Sequence, residues 1–158
     1  MKDLFVTYEQ AVQLKELGFD EPCITYYYED SKTIRTGLSI HINNGWTYSG
    51  TKRLETTLAP LKQQVFEWFR EKYKLVHEIS WSKYKGGLNF DYDIFSLVLP
   101  TDDELGDEND MASDKSMEKY DSLVNKDFRW HECDTYEEAE NACIDKLIEL
   151  VKKYSKNI

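Results

Sequence analysis

Cysteine is scarce in this sequence, and its spacing argues against a disulfide framework. The chain has three cysteines, Cys23, Cys133 and Cys143, and no two of them form a Cys-x-x-Cys motif. An odd number of scattered thiols suits a reducing compartment. No stretch approaches the roughly twenty apolar residues of a membrane helix, and the start, MKDLFVTYEQ, has no apolar run typical of a signal peptide. We therefore expect a cytoplasmic protein with no membrane partner.

Motifs that commit a chain to a reaction are also missing. None of the seven glycines and three histidines belongs to a phosphate-binding loop, a nucleophile elbow or a zinc-finger spacing. The closest pair of soft ligands is His131-x-Cys133, and zinc there needs two more ligands. The available ligands are His41, His77, Cys23 and Cys143. We expect no metal, no cofactor and no enzymatic activity, and a small enzyme that uses His131 and Cys133 is an alternative hypothesis.

Basic residues are few relative to acidic ones. The chain has 20 Lys and Arg against 30 Asp and Glu, a net charge of −10. Nonspecific nucleic-acid binding depends on Lys and Arg, so direct binding of nucleic acid is not expected. Thr101 to Glu118 holds eight acids and one base, which leaves only −3 of the net charge for the other 140 residues. The rest of the chain therefore has nearly equal numbers of acidic and basic residues.

The segment from Thr101 to Ser116 has the composition of a solvated insertion, and we expect a mobile loop. Its carboxylates are oxygen ligands, but the residue order of an EF-hand is absent, so a solvated linker is the simpler interpretation. We interpret the loop as a candidate partner-binding segment. Its candidate residues are Asp102, Asp103, Glu104, Asp107, Glu108 and Asp110. An alternative is that the acidic protein mimics DNA and inhibits a nucleic-acid-binding protein of its host.

The aromatic content predicts a folded core. Hydrophobic residues make up 41% of the chain and aromatic residues 14%, and 158 residues suit one domain. A helix is predicted to begin near Pro60 and to run into a strand ending at Trp81. The predicted inward stripe of the helix is Leu61, Val65, Phe66, Trp68, Phe69 and Tyr73, and the predicted outward residues are Lys62, Gln63, Glu67, Arg70 and Glu71.

A hairpin follows this helix. Lys85-Gly86-Gly87 separates two strands with alternating apolar residues, which is typical of a tight turn. The apolar positions are Leu75, His77, Ile79 and Trp81 in the first strand and Leu88, Phe90, Tyr92 and Ile94 in the second. The run Phe95 to Leu99 is apolar on both faces, which predicts a central or covered strand.

Other elements are predicted on both sides of this centre. A helix over Thr7 to Leu17 has a capping box and ends at Gly18, and another begins after Thr135, with Glu138 in the capping-box position. The predicted buried stripe of the last helix is Tyr136, Ala139, Cys143, Leu147, Leu150 and Tyr154. Strands are predicted over Cys23 to Tyr28, Leu38 to Ile42 and Trp46 to Tyr48, with connections over Glu29 to Thr36 and Ser49 to Thr57. A short helical turn near Met117 to Val124 and a strand at Phe128 and Trp130 are further predictions.

Together these elements predict a single α+β domain over residues 1–158, with two to three helices on one face of a mostly antiparallel sheet. The segments VTYEQAVQLKELGFDEPC, LAPLKQQVFEWFREKY and YEEAENACIDKLIELV resemble a family of short proteins of gut bacteria and of their phages and prophages. That family has no assigned activity, so the resemblance implies a mobile-element setting. The acidic segment is longer than the usual connection in that family.

The most economical functional hypothesis is a nonenzymatic accessory or adaptor protein of mobile-element origin that binds another protein. Its candidate contacts are the acidic loop and the exposed Tyr and Trp residues, because aromatic side chains are enriched at interface cores.

Overall fold

A computed structural model describes residues 2–41, 45–49, 51–84, 87–96 and 133–154. These residues form an α+β domain with an N-terminal 3₁₀ turn, Lys2–Leu4. The helices are α1 (Tyr8–Glu16), α2 (Lys62–Tyr73) and α3 (Tyr136–Tyr154), and the strands are β1 (Cys23–Tyr28), β2 (Thr33–His41), β3 (Gly45–Ser49), β4 (Lys52–Leu58), β5 (Leu75–Tyr84) and β6 (Gly87–Ser96). The predicted α+β class is confirmed.

The strands form two antiparallel sheets where one was predicted. Four strands lie in the order β2-β1-β4-β3, while β5 and β6 pair only with each other among the described strands. Lys74 alone connects α2 to β5, in a left-handed conformation with φ of 57°. Strand β5 therefore begins directly at the end of α2.

Two predicted connections are strands in the structure. Residues expected to lead to the central helix form β4, which pairs with β1 on one side and β3 on the other. Half of the predicted connection over Glu29 to Thr36 belongs to β2, where Thr33 pairs with Tyr28 and Thr36 with Thr25. Both segments are rich in Thr and charged residues, so they lack the apolar alternation by which strands are recognised.

The helix caps agree with the sequence. The Gln10 amide N–H donates to Thr7 Oγ1 and the Thr7 amide to Gln10 Oε1, and Gly18 follows α1 with φ of 81°. The Glu138 amide likewise donates to Thr135 Oγ1 at 3.1 Å. The central helix begins at Lys62, two residues later than predicted, because the Pro60 carbonyl accepts from the Val6 amide instead of opening the helix.

One hydrophobic core joins all three helices to both sheets. From α2 it takes Val65, Phe66, Trp68 and Phe69, and from α3 it takes Cys143, Ile144, Leu147, Ile148, Leu150 and Val151. Leu58 and Ile94 contribute from the two sheets. None of the helices within the described ranges is long and apolar enough to cross a membrane.

Five predicted exposures are wrong. Lys62 was expected in solvent but is only 2% exposed, because its ammonium group pairs with Glu140 at 3.2 Å. Trp81, Leu88, Phe95 and Tyr136 were expected to be covered, yet they are 67%, 55%, 48% and 43% exposed. Trp81 and Leu88 lie towards the turn of the β5–β6 hairpin and Tyr136 lies beside it, whereas Phe95 lies at its base, on the face opposite the core.

Candidate functional site

The acidic residues proposed as partner contacts, Asp102, Asp103, Glu104, Asp107, Glu108 and Asp110, lie outside the residues that the structure describes. The same holds for the predicted turn at Asn44, the tail over residues 97–99, the helical turn near Met117 and the strand at Phe128 and Trp130. The partner-binding and DNA-mimic hypotheses for the acidic segment therefore stay predictions.

The proposed thiol and imidazole chemistry finds no shared site among the described residues. Cys133 pairs with Phe90 and His77 with Ile94, so four residues of β6, about 13 Å, separate their positions along the hairpin. Burial, followed by the Glu138 and Asp91 carboxylates, raises the pKa of the Cys133 thiol. A raised pKa keeps the thiol protonated and weakly nucleophilic. His131 lies outside the described residues.

Of the remaining metal-ligand candidates, Cys23 and His41 are cross-strand partners on β1 and β2, whereas Cys143 lies on α3 and His77 on β5. Cys23 and Cys143 are buried core thiols whose pKa values are raised mainly by burial. Within the described ranges, no group of three or more His, Cys, Asp or Glu side chains is arranged to hold a metal ion. The His77 ring stacks on Phe66, with the ring centroids 3.5 Å apart, as a packing residue does.

A polar cleft of about 720 Å³ lies between α1 and α3. Residues that line the cleft form hydrogen bonds across it: Gln10 Nε2 donates to the Asn141 carbonyl at 3.1 Å and to Asp145 Oδ1 at 3.0 Å. Lys152 Nζ donates to Gln13 Oε1 at 3.2 Å. Asn141 Oδ1 is buried without a hydrogen-bond partner in the described chain, and a bound water satisfies such an atom. The cleft is therefore best explained as a packed polar interface between the two helices.

The β5–β6 hairpin carries three of the large hydrophobic side chains that are exposed in the described chain, Trp81, Leu88 and Phe95. Each strand has ten residues, so the hairpin is about 33 Å long, whereas α2 with twelve residues is about 18 Å long. Successive side chains of a strand point to opposite faces. The hairpin therefore has a front face, which begins on the core at Leu75 and Ile94, and a back face that begins at Val76 and Phe95.

The front face is buried at the base of the hairpin and exposed towards the turn. At its base, Ile94 is buried in the core and Leu75 and Tyr92 pack against it. Towards the turn, Trp81 is 67% exposed and Leu88 is 55% exposed. The apolar alternation that is buried at the base is therefore open at the tip.

Four side chains form what we call the aromatic surface: Trp81, Leu88, Phe90 and Tyr136. Trp81 is directly opposite Phe90, and Leu88 is the diagonal neighbour of Trp81. The Tyr136 ring contacts Phe90 edge-on, with centroids 6.1 Å apart and planes at 88°. Clusters of exposed apolar side chains on soluble proteins mark interaction sites more often than scattered single ones do.

The backbone holds this surface in place at both ends. Ten consecutive cross-strand pairs join β5 to β6. Phe90 and Cys133 exchange two backbone hydrogen bonds, each 2.9 Å long, which fix the start of α3 beside the hairpin. The aromatic surface is therefore built on paired strands and a capped helix, which keep the backbone positions of its residues in a defined arrangement.

The back face carries acidic residues, and we call it the acidic face. Glu78 is directly opposite Asp93, and Asp91 follows two residues along on the same face. Loss of hydration, followed by the charges of Glu78 and Asp91, raises the pKa of Asp93. Val76 and Phe95 form an apolar pair next to the acids, with Phe95 48% exposed.

Comparison of the chain with protein-family models, with curated proteins and with solved structures finds no match. The functional inference therefore depends on the geometry of this chain alone.

Sequence reasoning identified the hairpin but not its exposed surface. Trp81, Phe90 and Leu88 fit the alternation of a buried strand face, and Tyr136 fits the apolar stripe of α3. No local signal separates the covered part of this alternation from the exposed part, because the division depends on where α2 and α3 lie against the hairpin.

Proposed function

We propose that this protein is a nonenzymatic accessory or adaptor protein of mobile-element origin, and that it binds another protein through the aromatic surface of the β5–β6 hairpin. The single observation that carries the proposal is the exposure of Trp81, 67%, at the centre of an apolar cluster. Tryptophan and tyrosine are enriched among the residues that dominate binding energy.

Two further properties support binding over a purely structural role. The paired strands hold the backbone of the aromatic surface in one arrangement, which lowers the backbone entropy that is lost on association. Trp81 is also far from the buried core of the hairpin base, so its exposed ring contributes little to folding. An exposed tryptophan that contributes little to its own fold is well placed to be buried by a partner.

The proposal is tested by comparing the proteins captured by three tagged versions of the full chain from a lysate of its native host. The versions are wild type, Trp81→Ser and the control Leu4→Ser, which removes another exposed apolar side chain, 58% exposed and outside the hairpin. Because central aromatic residues contribute 2 kcal/mol or more, we expect Trp81→Ser to weaken binding of a purified captured partner by about 30-fold or more.

The control must retain the partner with unchanged affinity, and both variants must unfold at the wild-type temperature. If Trp81→Ser binds the purified partner as tightly as wild type does, the aromatic surface is not the binding site.

A further inference from the structure

We propose that two copies of this chain associate edge to edge through strand β5, and that the joined hairpins form one antiparallel sheet in the order β6-β5-β5-β6, with a two-fold axis at Ser80. The second copy then contributes its own Ile79 and Trp81 to the aromatic surface. This inference goes beyond the proposed function, because it concerns how the chain binds to itself.

The first observation is a row of backbone groups along β5 that have no partner strand. Phe90 exchanges its backbone hydrogen bonds with Cys133, on the side of β6 that faces away from β5. Its cross-strand partner Trp81 is therefore in a non-hydrogen-bonded pair, and the Trp81 N–H and C=O groups point away from β6. The same holds for every second residue of β5: Leu75, His77, Ile79, Trp81 and Lys83.

Among the described residues, no backbone hydrogen bond reaches this side of β5. We call it the open edge. A row of unpaired donors and acceptors on an extended strand is a template for pairing with a strand of another chain. The occupant that the backbone fits is therefore a β-strand.

The second observation is that the open edge lacks the features that usually prevent strand pairing. Such features are prolines, bulges and very short strands. Strand β5 pairs with β6 over ten residues with no shift of register, and it contains no proline. In contrast, the edge strand β3 has five residues, and β2 pairs irregularly with β1. The outer edge of β6 is paired with Cys133 at Phe90.

The third observation is that the sequence of the open edge fits a second copy of itself. Like charges that lie directly opposite each other destabilise a sheet, so Glu78 must not face Glu78, and Lys83 must not face Lys83. With the axis at Ser80, Ile79 lies opposite Trp81 of the second copy, and Glu78 lies opposite Ser82. Apolar residues then face apolar residues, and like charges are kept apart.

Neighbouring registers fit less well. An axis at Trp81 places Lys83 opposite Ile79, and an axis at Ile79 places Lys83 opposite Leu75. Both registers put a charged side chain against an apolar one. The axis at Ser80 is therefore the register that the side chains favour.

In this register the two aromatic surfaces become continuous. Ile79 and Trp81 of the second copy form a hydrogen-bonded pair that exchanges both N–H···O bonds, and the two-fold axis repeats it. The two Trp81 side chains are diagonal neighbours across the axis, within reach of each other. Side chains stand roughly perpendicular to a sheet, so edge pairing covers the flanks of these rings and leaves the outer side of the front face open.

Sedimentation equilibrium of the full chain, from about 1 µM to about 200 µM, measures the association. We expect the mass to rise from that of one chain towards that of two, with a dissociation constant between about 10 and about 100 µM. A wild-type chain that is still monomeric at about 200 µM overturns the proposal.

Two matched lysine variants test the register. Ser80 and Ser82 are exposed serines on the acidic face, so lysine at either position changes the net charge equally. Ser80→Lys places two lysines directly opposite each other at the axis and should weaken the dimer at least about tenfold. Within one chain the new lysine lies opposite Asp91, which favours the hairpin.

Ser82→Lys is the control, because its lysine lies opposite Glu78 of the second copy. We expect this variant to dimerise at least as tightly as wild type. Equal dimerisation by the two variants overturns the proposal, because the axis is then not at Ser80.

The outcome is separable from that of the proposed function, because neither serine belongs to the aromatic surface. If Trp81→Ser loses the captured partner but the wild type is monomeric, the adaptor function stands and this inference fails. If the wild type and Ser82→Lys dimerise, Ser80→Lys does not, and Trp81→Ser keeps the captured partner, this inference stands and the proposed function fails.

Discussion

At the scale of single residues, the ion pair between Lys62 and Glu140 places two charges in the interior of the protein. Their side chains are 3% and 11% exposed, and the pair joins α2 to α3. Charges taken out of water are tolerated when each has a partner, and removing one partner of a buried pair costs about 3–5 kcal/mol. The pair therefore makes the packing of the two helices depend on a specific contact.

We predict that Lys62→Met lowers the free energy of unfolding by about 3 kcal/mol, because Glu140 is left buried and unpaired. The double variant Lys62→Met/Glu140→Leu should recover most of that loss, since it leaves no buried charge. Urea unfolding of the four proteins of this cycle measures both effects. A double variant as unstable as the single one would assign the loss to packing instead of charge.

His77 gives the protein a defined pH response. Burial, followed by the positive charge of Arg70, lowers the pKa of the imidazole below its usual 6.5. The folded state therefore favours neutral His77, whose contribution to stability is complete above the usual pKa and is lost as the pH falls through the lowered pKa. The His77 ring, which is stacked on Phe66, is the group whose protonation causes this loss of stability.

We predict that the free energy of unfolding of the wild type decreases between about pH 7 and about pH 5, and that His77→Phe reduces this decrease. Phenylalanine keeps an aromatic ring on Phe66 but cannot take up a proton. Urea unfolding at both pH values tests the prediction. The same decrease in both proteins would show that another group is responsible.

Residue-level predictions from sequence succeed where the partners are close in the chain. The caps at Thr7 and Thr135 were predictable, because each partner lies three residues away. The burial of Lys62 was not, because Glu140 is 78 residues away and the helical pattern placed Lys62 on the polar side. No pattern in the sequence around Lys62 identifies the distant residue that pairs with its charge.

At the scale of elements, the hairpin combines a packed base with an open tip. Its base is covered on the front face by α2 and by the core around Ile94. Its tip is exposed over residues 80–83 and 87–88. Amide exchange follows local stability, which is low where few buried apolar contacts support the hydrogen bonds.

Phe90 points its amide away from β5 and towards Cys133, so the hydrogen-bonded pairs of the hairpin are those that alternate with Trp81 and Phe90. We predict that amide hydrogens at Ser80 and Ser82 exchange faster than those at Val76 and Asp93, although all four lie in hydrogen-bonded pairs of the same two strands. Hydrogen exchange followed by NMR measures the rates residue by residue. Uniform protection along the hairpin would mean that the strands open as one unit and that the tip is as stable as the base.

Element types were predictable wherever apolar periodicity is strong, as in α2 and in the β5–β6 hairpin. Strand β4 was missed because Arg53, Glu55 and the threonines beside them give no alternation of apolar residues. This strand owes its place to pairing with β1 and β3 on its two sides. Such pairing is a tertiary property and leaves little signal in a single sequence.

At the scale of the whole molecule, the protein is an α+β core from which a ribbon extends. The fold class followed from the order of the elements, but the division into two sheets and the candidate site did not. Which part of an apolar strand stays uncovered depends on where the neighbouring helices end in space. The aromatic surface is therefore visible only after α2, α3 and the hairpin are assembled.

Site-specific photo-crosslinking in the native host tests most directly whether the hairpin tip binds a partner protein. A photoreactive phenylalanine analogue replaces Trp81 in one version of the full chain and Ile24, an exposed apolar residue on β1, in the other. We predict one dominant crosslinked protein at position 81 and none at position 24. If the chain still captures a partner but crosslinks it at position 24 and not at position 81, the hairpin tip is not the binding element.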